Sequence, residues 1–221
     1  MSKLFRIIVL ILCFVILVNV GFAQKTKAKP VSQTKVDLGK LQQNTYTNDS
    51  FRLKIEFPLG WLVGDNELEK QLYAIQQPSI KTKNPKEQAA LNQAMKRVTP
   101  LLGGYKSLPG SVAENSSLRI AVENLSAMPT VKTSQGYLQV LLDTLKLTRM
   151  PSGYQTSGIK SETIDGMSVN YVETTGESLK LRSYVIIRKG FAVLFKIESY
   201  DEEDFDALHQ VLTEADLDYK K

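Results

Sequence analysis

Between Lys180 and Leu212 the positions alternate, turn and alternate again before taking up a helical period. Leu181, Ser183, Val185 and Ile187 fall on one side of an extended segment, and Phe191, Val193, Phe195 and Ile197 alternate along a second. Lys189-Gly190 stands between them, so the pattern predicts two antiparallel strands joined by a tight turn. Near that turn Tyr184, Ile186, Ala192 and Leu194 are apolar as well. That end of the sheet is therefore expected to be covered on both sides. Phe205, Leu208 and Leu212 then recur at helical spacing. Either Ser199 with Glu202 or Asp201 with Asp204 can cap this last helix. Glu202, Glu203, Asp204 and Asp206 complement the positive end of its dipole.

The same reading places elements upstream. Phe51, Leu53, Ile55 and Phe57 alternate with Arg52, Lys54 and Glu56, which predicts a strand buried on one side. Pro58-Leu59-Gly60-Trp61 redirects the chain, and Trp61, the only tryptophan, is expected to plug one end of the core. Leu72 to Ile75 reads as a second strand. Asn84, Pro85 and Glu87 open a helix that runs to Val98 and stops at Thr99-Pro100. From Leu101 to Ser116 there is no clear period, and Gly103, Gly104, Pro109 and Gly110 mark a long loop. Leu118, Ile120 and Val122 predict a strand, ending near Leu125. Thr133 or Ser134 caps a helix to Leu147 with a broad apolar face. Residues 155–163 and 167–174 predict a hairpin about Asp165-Gly166.

The N-terminus changes the picture from fold to place. Lys3 and Arg6 precede an apolar run from Ile7 to Val18, and Gly21-Phe22-Ala23 offers a cleavage site. This is the pattern of a secretory signal peptide over 1–23, with an uncleaved anchor as the alternative. Residues 24–45 read as a flexible tether rich in lysine, and 46–217 as a single domain. Cys13, the only cysteine, is lost on cleavage. Leu12 stands where a lipoprotein would have a small residue. An exported chain without cysteine draws its stability from its core. Loss of Lys3 and Arg6 takes the net charge from +5 to +3, too weak a bias for a nucleic-acid partner.

Candidate chemistry is sparse. His209 is the only histidine, beside the apolar stripe of the last helix. A lone histidine cannot build a multi-histidine zinc site, and neither an HExxH spacing nor a GxSxG elbow is present. It is expected to be structural. Gly103-Gly104-Tyr105-Lys106-Ser107 is a poor phosphate loop, because Tyr105 stands where glycine should precede the lysine. The acidic group Asp201 to Asp206 has the ligand type for calcium but not the spacing of an EF-hand loop. Asn48, Asn115 and Asn124 open glycan acceptor triplets. No cofactor and no metal are expected.

Two stretches carry a family resemblance. One is Phe57-Pro58 with Gly60-Trp61 after the first strand. The other is the run Tyr184 to Phe195 about Gly190, followed by the acidic-capped helix with Phe205, Leu208 and Leu212. Over residues 46–215 the order resembles the PsbP-like and Mog1-like family, which includes bacterial domains of unknown function. The resemblance implies an α+β fold, a single antiparallel sheet covered by helices on both faces in an α/β/α sandwich. The family's roles, binding to photosystem II or to a small GTPase, imply no catalytic residue at any position here.

The expected function is that of an exported, periplasmic or extracellular, non-enzymatic binding or assembly module. Its partner would be an unknown protein or envelope component, with no nucleic acid and no stable membrane span after cleavage. The contact surface is expected on the 101–116 loop and at Trp61, Tyr105 and Lys106, since aromatic residues anchor interfaces. The alternative is an envelope hydrolase or lipid-handling enzyme with 101–116 as a lid. Scaffolding by an uncleaved N-terminus is a third.

Overall fold

The computed structural model describes residues 35–76, 96–112, 114–147 and 153–220. The expected signal segment, most of the tether and most of the 84–98 helix lie outside the described residues.

Period-two stretches become strands. Lys40–Gln42 (β1), Thr45–Asn48 (β2) and Leu53–Glu56 (β3) form a three-stranded antiparallel sheet. Leu62–Asp65 (β4), Val98–Tyr105 (β5), Ser117–Asn124 (β6), Gln155–Thr156 (β7), Lys160–Ile164 (β8), Met167–Gly176 (β9), Leu179–Arg188 (β10) and Phe191–Ser199 (β11) form an eight-stranded sheet. Its order is β4-β5-β6-β11-β10-β9-β7, with β8 also paired to β9. The helices are Asn66–Gln76 (α1), Ser134–Leu147 (α2) and Glu202–Thr213 (α3).

The hairpin β10–β11 pairs from Lys180↔Ser199 to Arg188↔Phe191. Lys189 and Gly190 close it with φ of 48° and 79°, the two-residue turn whose twist matches the flanking strands. Asp165 and Gly166, at 49° and 69°, do the same for β8–β9. Alternation along β11 then feeds two core clusters. Phe191, Val193, Phe195 and Ile197 join Leu53, Ile55 and Phe57 of the small sheet with Phe205, Leu208 and Leu212 of α3. Ala192 joins Leu138, Leu141 and Leu145 of α2, with Val172 and Val185. Asp201 caps α3 through the Asp204 amide (3.2 Å), which selects one of the two predicted caps.

The structure corrects four expectations. The single sheet is two sheets, and the side that receives α3 is shared with a small sheet rather than covered by helices alone. Leu72 to Ile75 lies within α1, whose start is capped by the Asp65 carboxylate bonding the Glu67 and Leu68 amides. Residues 98–105 are strand, not helix end and loop. Pro100 sits beside a register shift against β6, where a ladder donor can be spared. The expected tether ends earlier, since Lys40–Gln42 already pairs with β2.

A C-terminal strap joins the two sheets. Asp216 bridges to Lys54, and the Tyr219 amide donates to the Arg52 carbonyl at 3.2 Å. Arg188, at the end of β10, donates to the carbonyls of Phe51, Arg52 and Leu217.

Candidate functional site

Two glycine turns build one end of the molecule. In Pro58-Leu59-Gly60-Trp61 the Trp61 amide reaches the Pro58 carbonyl at 3.4 Å, and Gly60 has φ 89°. In Leu108-Pro109-Gly110-Ser111 the Ser111 amide reaches the Leu108 carbonyl at 2.9 Å, and Gly110 has φ 87°. Both match a type II turn, which needs positive φ at its third residue. Leu62 pairs with Tyr105, so the turn before β4 and the loop after β5 leave the sheet at the same end. Together they expose Leu59 (93%), Leu108 (63%), Val112 (46%) and Leu62 (45%). Trp61 is half-buried and packs against the larger core.

The loop is fastened at its base. The Lys106 amide donates to the Ser116 carbonyl at 3.0 Å. Asn115 clamps Ser107 from both sides, at 3.0 and 2.7 Å. Ser116 Oγ meets Asp204 and Ser199, each at 2.9 Å. Lys106 Nζ pairs with Asp204 at 2.5 Å, and that bond holds its ammonium above the ordinary lysine range. The apolar tip is thus preorganised on the start of α3.

Of the predicted contact residues, Trp61 and Lys106 lie at this end, and Tyr105 does not offer a surface. It is 5% exposed, donates its hydroxyl to Glu69, and burial pushes its phenol far up. Glu69 also binds Arg119 at 2.9 Å. Lys196 faces Glu198 at 3.6 Å, and Tyr200 donates to Glu198 at 3.1 Å. Glu123 is held by Arg97 (3.0 Å) and Tyr137 (2.6 Å), yet burial still pushes its carboxyl up. These buried charges are matched by opposite charges or phenols, the condition for keeping them inside. Gly103 and Gly104 cradle no phosphate: a Cβ at Gly103 would overlap Glu69, and one at Gly104 would overlap the Phe57 ring.

A second polar cluster lies on the side of α3. Arg182 binds Glu173 through Nε (2.9 Å) and Nη2 (2.6 Å) and sits over the rings of Tyr171 and Phe205. His209 Nε2 meets Glu162 Oε1 at 2.8 Å, and its ring lies near-parallel to those of Tyr184 and Phe205. The pair fixes α3 to β8. Among the described residues no group of three or more His, Cys, Asp or Glu gathers to hold a metal. The acceptor asparagines serve the fold: Asn48 is 1% exposed and donates to Asp37 and Tyr46, Asn115 clamps the loop, and Asn124 caps a short turn.

Sequence reasoning missed Arg119, Lys196 and Glu198. They alternate with Leu118, Ile120, Phe195 and Ile197 and so read as solvent-facing. The signal that marks them is position, since β6 and β11 each have a partner on both edges.

No family model matches the chain, and no curated protein matches it. Among solved structures, the chain is similar to cyanobacterial PsbP from Synechocystis sp. PCC 6803. The identity is 10%, the match covers 83% of this chain and 92% of that one, and the TM-score is 0.39. It is also similar to LpqN of Mycobacterium tuberculosis, described as involved in cell envelope biogenesis. There the identity is 13%, the coverages are 74% and 81%, and the TM-score is 0.38.

Proposed function

We propose that this chain is an exported, non-enzymatic binding or assembly module that docks to a protein or other envelope component through the tip formed by residues 58–62, 106–112 and 114–116. The observation that carries the reading is the exposure, at one end of the sheet, of Leu59 and Leu108 on two turns and of Leu62 and Val112 just after them. Scattered exposed leucines need no explanation, but a cluster on a preorganised end marks an interaction surface. The charged side chains support binding over catalysis, because they are spent on one another: Glu69 on Arg119, Glu173 on Arg182, Glu162 on His209 and Asp204 on Lys106. The signal-peptide pattern at the N-terminus supports work outside the cytoplasm.

The test is the pair of substitutions Leu59→Ser and Leu108→Ser in the full chain. Both side chains are exposed, so the folded protein is expected to melt as the parent does. Its share in the cell-envelope fraction is expected to fall severalfold. Retention equal to the parent's would overturn the reading.

A further inference from the structure

We infer that the tip docks onto a protein surface whose apolar socket is bordered by lysine or arginine. This rests on the binding-module reading and adds the chemistry of the partner. The juxtaposition behind it is an apolar end set beside an exposed acidic helix start. Leu59, Leu62, Leu108 and Val112 supply the apolar centre. Asp201, the cap of α3, and Glu202 and Glu203 in its first turn are exposed, and Ser116 and Lys106 tie the loop to that turn through Asp204. Lys106 is close enough to Asp201 and Glu203 for their charges to act on it.

The charges do not cancel at this end. Lys106 is spent on Asp204 at 2.5 Å, and Glu202 on Lys180 at 2.5 Å. Asp201 and Glu203 remain as rim carboxylates, and Asp201 is itself the helix cap. An apolar patch with an acidic rim complements a socket with a basic rim, which steers encounter and fixes register. An anionic lipid surface is disfavoured by the same carboxylates, because such surfaces attract lysine and arginine.

The experiment places a benzoylphenylalanine photo-crosslinker at position 108 of the full chain in its own cells, with a control at exposed Lys189 on the opposite hairpin turn. The expected product is an adduct at 108, absent from the control, whose partner peptide carries lysine or arginine next to the modified residue. Glu203→Lys is expected to cut its yield severalfold, and Glu203→Gln less, with circular dichroism confirming that α3 persists. A lipid adduct, or a peptide adduct whose yield ignores Glu203→Lys, overturns the inference while leaving the binding module standing. No adduct at 108 beyond the control overturns both.

Discussion

Gly104 faces the Phe57 ring, and the contact explains a dipeptide that the sequence leaves ambiguous. Gly103 and Gly104 sit inside β5 because their missing side chains leave room, on one side for Glu69 and on the other for Phe57. A methyl group at Gly104 must push the ring out of a core in which Phe57 is 2% exposed. Overpacking of this kind costs about 1–3 kcal/mol. Gly104→Ala is therefore expected to lower the melting temperature. Gly158→Ala, with nothing within 4 Å of the added carbon, is expected to leave it nearly unchanged. Equal melting of the two variants would contradict this account. At this scale a sequence shows that glycine is present but not what approaches it. Phe57 and Gly104 lie far apart in the chain, and their meeting is a property of the fold.

Paired strands carry the charge chemistry of the elements. Arg182 on β10 stands opposite Glu173 on β9 in register. Burial alone would push the Glu173 carboxyl up, but the hydrogen bonds and charge of Arg182 outweigh it and hold the group below its ordinary 4.5. A carboxyl lowered on folding stabilises the fold above its unfolded value, and the contribution is lost as pH falls through the folded one. Glu123 on β6 is raised instead, so its effect has the opposite sign. Urea midpoints of the parent and Glu173→Gln are expected to differ at pH 7 and to converge in acid well below 4.5. A gap that stays constant over that range would sink the assignment. Elements with an unbroken period were legible beforehand: β10, β11, α2, α3 and the Asp165-Gly166 hairpin. Two were not. The short apolar run at Leu72 to Ile75 fits strand and helix alike, and the Asp65 cap that decides for helix lies at the end of a strand. β5 contains Pro100 and two glycines, local breakers that tertiary contacts accommodate. Trp61 and Lys106 lie at the end of the sheet where β4 begins and β5 ends, whereas Tyr105, one residue inside the strand, turns inward.

On the scale of the whole molecule, the two sheets meet through one core and one strap. The turn at Pro58-Leu59-Gly60 announces a change of direction, but no local pattern says which strands will pair after it, so one sheet was expected where there are two. Arg188 is the residue through which the parts are coupled. Its guanidinium donates to the Phe51 and Arg52 carbonyls of the small-sheet segment and to the Leu217 carbonyl of the strap. Arg52 also pairs with Asp218 at 2.9 Å. Arg188→Met keeps much of the side-chain volume but takes the guanidinium donor from the partly buried Phe51 and Leu217 carbonyls, while the Arg52 carbonyl keeps the Tyr219 amide; a group left unsatisfied costs about 1–3 kcal/mol. The loss should be local before it is global. Amides of β2, β3 and residues 216–219 are expected to exchange hydrogen sooner than in the parent, while those of β10 and β11, inside the larger sheet, keep their protection. Arg188→Lys should fall between, because an ammonium donates from one nitrogen, whereas the guanidinium reaches these carbonyls from Nη1 and Nη2. If exchange quickens equally in both sheets, or in neither, the strap does not couple them through Arg188.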